Sequence, residues 1–312
     1  MTTDNFMPPQ ALNTAVLFLV FNRLDTTQQV FEAIRQAKPS RLYIAADGAR
    51  ETKAGEAEKV RGVRDFILQN IDWECDVKTF FREQNYGCKI AIIEAIDWFF
   101  GNEEMGIILE DDCLPNQSFF WFCEELLEKY SENTSISAIS GTNINGISNT
   151  EFDYFYSLMG GNWGWATWRS SWNNFHSDIT SFLSYENLAI IESNLNNKRL
   201  FSAVKSIYKN NIGSMENDVW DFQWLFIRLL NNKLTVVPKR NLISNIGFIA
   251  DSTHTSDTGS PLSNLKSYPI EWPMNCPTNV GVNSEYDQSN SKYFSPSIVD
   301  RIISKLKRFF HD

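Results

Sequence analysis

The chain lacks the residues that would place it in several common classes. It has five cysteines (Cys75, Cys88, Cys113, Cys123, Cys276), an odd number with no C-x-x-C pair. That excludes a disulfide framework and a zinc knuckle and fits a reducing compartment. It has three histidines, His176, His254 and His311, so a hydrolytic triad has few candidates. Basic charge is in deficit: 28 Lys and Arg stand against 38 Asp and Glu, a net −10. A bulk nucleic-acid binder needs the opposite sign, so no nucleic-acid partner is expected. Long apolar runs are missing too. Ala15–Phe21 spans seven residues before Asn22-Arg23 interrupts it, too short for a signal core or a membrane span, and the polar start MTTDNFMPPQ has no basic lead-in. A cytoplasmic protein is the expectation. Walker, dinucleotide-fingerprint, H-E-x-x-H and G-x-S-x-G motifs are all absent.

What is present is ordinary globular composition, with 43% hydrophobic and 21% charged residues over 312 positions, and a surplus of rings: 23 Phe, 10 Tyr and 10 Trp. The length is near the size at which one core gives way to two lobes. Strand and helix signals alternate through the first half. AVLFLVF (15–21), LYIAA (42–46), DVKTFF (76–81), GIIL (106–109) and SAIS (137–140) read as strands. Between them, a helix opening at the capping-box pattern Thr26–Gln29 and ended by Pro39, a solvated helix over 50–65, a buried helix over 89–100 and a helix from Phe119 to Tyr130 fill the gaps. This order predicts an α/β fold with an open, mostly parallel sheet and right-handed crossovers. Ligands of such sheets sit beyond the carboxyl ends of the strands. Three strand ends carry polar groups there: Asn22-Arg23, Asp47-Gly48 and Glu110-Asp111-Asp112. The second half differs. Residues 160–175 are dense in Trp and Gly, 214–230 reads as an amphipathic helix, 235–237 as a strand, and 255–295 as a wrapping or partly disordered stretch. The tail Ile298–Phe310 is amphipathic and basic; it would pack on the protein or lie on anionic lipid.

The strongest chemical signal is Glu110-Asp111-Asp112 at the end of an apolar strand. Three adjacent carboxylates repel unless something neutralises them, and Mg²⁺ or Mn²⁺ takes such oxygens and bridges to phosphate. The plainer alternative is a solvated helix N-terminus. Asn85-Tyr86-Gly87 could present N–H groups to a phosphate with Lys89 nearby, or be a simple helix-entry turn. Trp163 and Trp165, with Arg169 beside them, suggest a stacking wall for sugar faces near a cleft, with Trp168 and Trp172 more buried as anchors.

The runs VFNR, AADG, 85–100 and IILEDDCLPNQSFFWFCEELL together resemble a GT-A glycosyltransferase, most nearly the inverting N-acetylglucosaminyltransferase I type and its bacterial relatives among polysaccharide-biosynthesis proteins. The resemblance covers roughly residues 14–254. It implies a GT-A, Rossmann-like sheet with flanking helices: 1–150 a nucleotide-sugar-binding half, 151–255 an acceptor-side half, and 256–312 a wrapping segment with a terminal amphipathic helix. It implies transfer from a UDP-sugar or related nucleotide-sugar donor to a glycan acceptor, which could be lipid-linked at the inner face of a membrane, with Mn²⁺ (or Mg²⁺) as cofactor. Carried over by residue, Arg23 in the Asn22-Arg23 pair contacts the nucleotide and Asp47 reads the base. Asp112 binds the metal directly, while Asp111 and Glu110 contact ribose or donor sugar. DVWDFQW resembles the helix start that carries the catalytic base, pointing to Asp221 with Asp218 as the alternative, although Phe222 stands where the pattern has a second Asp. NIGFIADSTHT resembles the closing loop, where His254 would complete the metal shell. The physics fits: an inverting transferase needs a carboxylate to deprotonate the acceptor, on a different segment from the metal. Two rivals share the sheet: a sugar-nucleotide nucleotidyltransferase, which wants a Gly-rich basic loop where Asn22-Arg23-Leu24-Asp25 stands, and an inactive carbohydrate-binding protein.

Overall fold

The computed structural model describes residues 6–176, 184–211, 220–248 and 262–294; for 208–211 and 291–294 it describes the backbone alone. In the first half, strands β1 (Val16–Val20), β2 (Arg41–Ala46), β3 (Asp76–Phe81) and β4 (Met105–Glu110) alternate with helices α1 (Leu24–Ala37), α2 (Glu56–Asn70) and α3 (Gly87–Asn102). A short strand β5 (Cys113–Pro115), helix α4 (Ser118–Lys129) and strand β6 (Ile136–Ser140) follow. The second half adds β7 (Tyr154–Ser157), β8 (Trp165–Trp168), α5 (Arg169–Trp172), α6 (Tyr185–Leu195), α7 (Lys198–Asn211), α8 (Asp221–Leu230), β9 (Leu234–Pro238), β10 (Ile243–Asn245) and α9 (Ser284–Phe294).

Eight strands form one sheet in the order β3-β2-β1-β4-β8-β6-β9-β7. The four N-terminal strands are mutually parallel, with Phe18 level with Ile44 on one side and Leu109 on the other. β8 inserts antiparallel between β4 and β6, and β9 runs parallel to β6. The expected mostly parallel α/β sheet is therefore present, and it is shared by both halves of the chain rather than split between them.

β1 shows why it lies at the centre. All five of its residues are buried. Val16, Phe18 and Val20 join the apolar layer that includes Val30, Phe31 and Ile34 of α1. Leu17 and Leu19 join the opposite layer with Ile92, Ile96 and Phe99 of α3. A continuous apolar run of that length fits only a strand covered on both faces. The N-terminal segment is tied down before β1: Glu124 of α4, itself buried, accepts from the Asn13 and Thr14 backbone N–H groups (both 2.7 Å) and the Thr14 hydroxyl (2.9 Å).

Two local expectations fail for identifiable reasons. The capping box at Thr26–Gln29 is not used. α1 starts at Leu24, two residues earlier, with Arg23 as its cap residue. The Thr27 hydroxyl instead donates back to the Arg23 carbonyl at 2.5 Å, the i−4 bond threonine makes inside a helix. The Trp-rich stretch is mainly strand β8 and helix α5 rather than a surface loop. Part of the presumed wrapping segment is also ordered: residues 284–294 form α9, capped by the Asn283 side chain, which accepts from the Tyr286 N–H at 3.0 Å.

Candidate active site

A cleft of about 1150 Å³ opens over the carboxyl ends of β1, β2 and β4. All three polar strand ends line it: Asn22 and Arg23, Asp47, and Glu110 with Asp111 and Asp112. Its far wall comes from the second half, including Gly160, Gly161, Trp163, Trp220, Asp221, Phe222 and Asn245.

The acidic trio is neutralised from within the chain. Arg23, projecting from the start of α1, makes an ion pair with Asp111 and a second with Asp112 at 3.1 Å. Asp111 is 3% exposed and also accepts from the Phe21 N–H at 3.3 Å. Burial pushes its carboxyl up to about 6, with the Arg23 charge opposing that rise. Arg23 itself is held above its ordinary value: burial opposes this, but the Asp111 and Asp112 charges outweigh it. Glu110 is pushed up to about 8, first by burial and then by Asp112, Asp111 and Asp221. Asp221, in the first turn of α8, lines the same cleft.

The trio's surroundings are built to close tolerance. β5 follows directly after Asp112 and pairs antiparallel with β10, Asn245 opposite Cys113. The Ile246 N–H then donates to the Asp112 carbonyl at 2.9 Å. Gly247 comes next, and a Cβ there would lie 2.2 Å from Asp112 Oδ2. Only glycine lets the backbone pass beside that carboxylate.

The donor set suits a divalent cation of one kind. Among the described residues, no group of three or more His, Cys, Asp or Glu side chains converges as a cage. All three carboxylates line the cleft; Arg23 pairs with Asp111 and, at 3.1 Å, with Asp112, and makes no ion pair with Glu110. One or two carboxylates completed by phosphate oxygens and water is how Mg²⁺ and Mn²⁺ are commonly held beside a nucleotide. His254, expected as a further ligand, and Asp218, the alternative base, lie outside the described residues, as does the tail 298–310.

Other predicted residues are placed differently. Asp47 lines the cleft, but its carboxylate accepts from the N–H groups of Gly48 (2.9 Å), Tyr86 and Gly87 (both 3.0 Å) and from Asn85 Nδ2 (2.9 Å). That fills its acceptor positions, so it anchors the entry turn of α3 and has no acceptor site left over for a base. Burial, its largest influence, raises it, against those bonds. The same bonds use up the N–H groups of Tyr86 and Gly87 that were expected to face a phosphate. Lys89 is not among the residues lining the cleft.

The tryptophans separate. Trp163 lines the cleft and packs edge-to-face on Phe248 at 5.7 Å. Trp165 does not reach it: it is 1% exposed, stacked 5.7 Å from Trp220 and 5.9 Å from Trp224. The alternation of β8 explains this, because Trp165 pairs with Ile108 in mid-sheet. Trp168 and Trp172 are buried, as expected. Arg169 lies at the wrong end of the sheet. Trp168 pairs with Met105, the first residue of β4, and Arg169 Nε donates to the Glu103 carbonyl at 3.0 Å. That is a strand's length, roughly 16 Å, from Glu110.

Sequence reasoning missed several lining residues. Arg82 follows β3 directly and obeys the same strand-end rule as Arg23; its guanidinium stacks between Phe80 and Tyr86, 4.7 and 4.5 Å from the ring centres. Asn22 donates to Glu56 at 2.9 Å, and Glu56 also pairs with Arg50, so α2 contributes to the rim. Arg228, two turns along α8 from Asp221, had no signal beyond its helical spacing.

No protein-family model matches the chain, and no curated protein matches it. Solved structures show a partial likeness. A mannosyltransferase, PcManGT from Pyrobaculum calidifontis, solved with GDP-Man and Mn²⁺, aligns over 70% of each chain at 10% identity and a TM-score of 0.38. S. aureus TarS 1–349 aligns over 74% of this chain and 59% of its own at 9% identity and a TM-score of 0.38. A UDP-glucose pyrophosphorylase complexed with UDP-glucose aligns over 75% of this chain and 93% of its own at 10% identity and a TM-score of 0.38. At this degree of likeness, the assignment of the site rests on its own geometry.

Proposed function

We propose that the protein is a divalent-metal-assisted, inverting glycosyltransferase that moves a sugar from a nucleoside diphosphate donor, with UDP-sugars the first class to test, to a carbohydrate acceptor. The observation that carries this reading is that two acidic elements from separate parts of the chain line one cleft: Glu110, Asp111 and Asp112 at the end of β4, and Asp221 at the start of α8.

The donor enters along the strand ends. Its base and ribose pass between Phe21, Phe80 and the turn anchored by Asp47. Arg23 meets the diphosphate as a fixed positive charge, and its planar guanidinium suits paired phosphate oxygens. Asp112 and Glu110 would hold the cation, which when bound stabilises charge on the departing diphosphate. The acceptor lies on Trp163, whose ring offers a flat face to sugar C–H groups. Asp221 accepts the proton of the attacking hydroxyl. With the leaving diphosphate held at the trio and the base on a separate element, α8, the hydroxyl would attack from the face away from the leaving group, which inverts the anomeric centre. The loop Asn22–Asp25 carries one cation, Arg23, where a nucleotidyltransferase has a Gly-rich basic loop, and this favours the transferase over that second reading, although Arg50, Lys53, Lys59 and Arg82 also line the cleft.

The test is release of nucleoside diphosphate from a panel of nucleotide sugars in the presence of p-nitrophenyl glycosides, with Mn²⁺ or EDTA, followed by NMR of the product anomer. Metal-dependent release with an inverted product is expected. Retention would remove the base role of Asp221. Absence of release with any donor, in a protein that also binds none of them, would contradict the proposal.

A further inference from the structure

Two buried charges hold the stretch of backbone that leads to Trp163. Asp287, on α9, is 3% exposed. Its carboxylate accepts from the Ser157 hydroxyl at 2.5 Å and from the Leu158 N–H at 3.2 Å. Arg228, on α8, is 1% exposed. Its Nη2 donates to the Gly160 carbonyl at 2.9 Å and its Nη1 to the Thr235 hydroxyl on β9. Among the described residues the two charges form no ion pair within 4.0 Å; both bond to the segment 157–160. Asn290, one turn after Asp287, donates to the Met159 carbonyl at 3.3 Å. Gly160 is pressed so closely that a Cβ would sit 2.4 Å from Thr235 Cγ2. Four consecutive residues, 157 to 160, are therefore each held by a side chain from α8 or α9, and Met159, Gly160, Gly161 and Trp163 go on to line the cleft.

Isolated buried charges are costly unless bonded, and here each is bonded to the same segment, 157–160. We infer that Asp287, Asn290 and Arg228 are positioning residues that set the acceptor wall, through the 157–160 backbone, for the transfer proposed above. α9 belongs to the catalytic unit for this reason, although it lies more than a hundred residues further along the chain than the wall it holds. The inference deepens the glycosyltransferase reading and takes its acceptor assignment from it.

The experiment compares the full-length wild type with Asp287→Ala and the milder Asn290→Ala by three readouts. The first is amide hydrogen exchange across 157–163 and across β1, β2 and β4. The second is the Kd for UDP with Mn²⁺. The third is KM for a p-nitrophenyl glycoside acceptor and for the donor. Exchange at 158–163 is expected to rise at least tenfold in Asp287→Ala and severalfold in Asn290→Ala, with the three strands unchanged. UDP affinity and donor KM are expected to stay within twofold while acceptor KM rises at least tenfold. Unchanged exchange at 158–163 would overturn the inference. Equal loss of protection in the strands and in UDP affinity would also overturn it, by showing a general defect. If the wild type binds no UDP, the transferase reading fails, while the exchange data still decide whether α9 holds the wall.

Discussion

The two sides of the cleft are made by different physics. The side proposed for the donor consists of strand ends: β1, β2 and β4 run parallel, and the polar residues that end them converge because the strands are neighbours. The side proposed for the acceptor is made of segments far apart in sequence, with the 157–160 stretch before Trp163, α8 and α9 brought together by buried bonds. A site of the first kind is dictated by local pattern. A site of the second kind depends on contacts that no local pattern specifies.

The sharpest way to break this contrast is at Asp221, the one carboxylate from the second half that lines the cleft among the described residues. Asp221→Asn is expected to lower kcat by about 10²–10⁴, the usual worth of a positioned base, with UDP affinity within twofold. Steady-state kinetics together with calorimetric titration check both halves. A loss confined to binding would place Asp221 with the donor.

The tryptophans test whether the wall and the core are distinct. Trp165→Ala removes a ring buried among Trp172, Trp220 and Trp224 and is expected to cost about 3–5 kcal/mol in urea unfolding. Trp163→Ala is expected to leave stability within about 1 kcal/mol and to raise acceptor KM. If the two variants behaved alike, the division of the Trp-rich stretch would be wrong.

The acceptor side should also carry a pH dependence of its own. Burial pushes Asp287 up to about 6, with Arg228 the charged group that faces it. The folded state then holds this proton more tightly than the unfolded chain does. The stability associated with it is complete below about pH 4 and is lost as pH rises through 6, with a slope of at most about 1.4 kcal/mol per pH unit. Unfolding midpoints from pH 4 to 7 are expected to fall more steeply in wild type than in Asp287→Asn. Parallel profiles would contradict this.

The smallest expected effect lies at the donor side's tightest contact. Gly247→Ala forces the Asp112 carboxylate aside and is expected to weaken Mn²⁺-dependent UDP binding about tenfold, in line with disturbed support around a metal ligand, while changing the melting temperature little.

The same contrast explains what could be read in advance. Strands β1, β2 and β4 were legible because strands buried on both faces demand continuous apolar runs, and Asn22, Arg23, Glu110, Asp111 and Asp112 were legible as the polar ends of β1 and β4. Arg82 was equally available by that rule and was overlooked. Asp47 was found but not its engagement, since its partners come from the turn 85–87. Trp165 and Arg169 were misplaced because a glycine-flanked run of tryptophans looks alike in a loop and in a strand; the register of β8 against β4 decides which rings turn inward. α9 was invisible because its composition is polar and its buried residues, among those whose side chains are described, are three, Tyr286, Asp287 and Asn290, with Asp287 and Asn290 held by partners 129 and 131 positions away.

The central claim is that the polar ends of β1 and β4 form a nucleotide-diphosphate site completed by a divalent cation. Thermal melting of wild type and Asp112→Ala with UDP, GDP and their sugars, in Mn²⁺, Mg²⁺ or EDTA, tests it directly. A ligand at a hundred times its Kd stabilises by about 2.7 kcal/mol. The account predicts a clear upward shift for wild type with at least one nucleotide and metal, abolished by EDTA and absent in Asp112→Ala. A wild type that no nucleotide shifts under any metal condition, or an Asp112→Ala variant that shifts as fully as wild type, would contradict it.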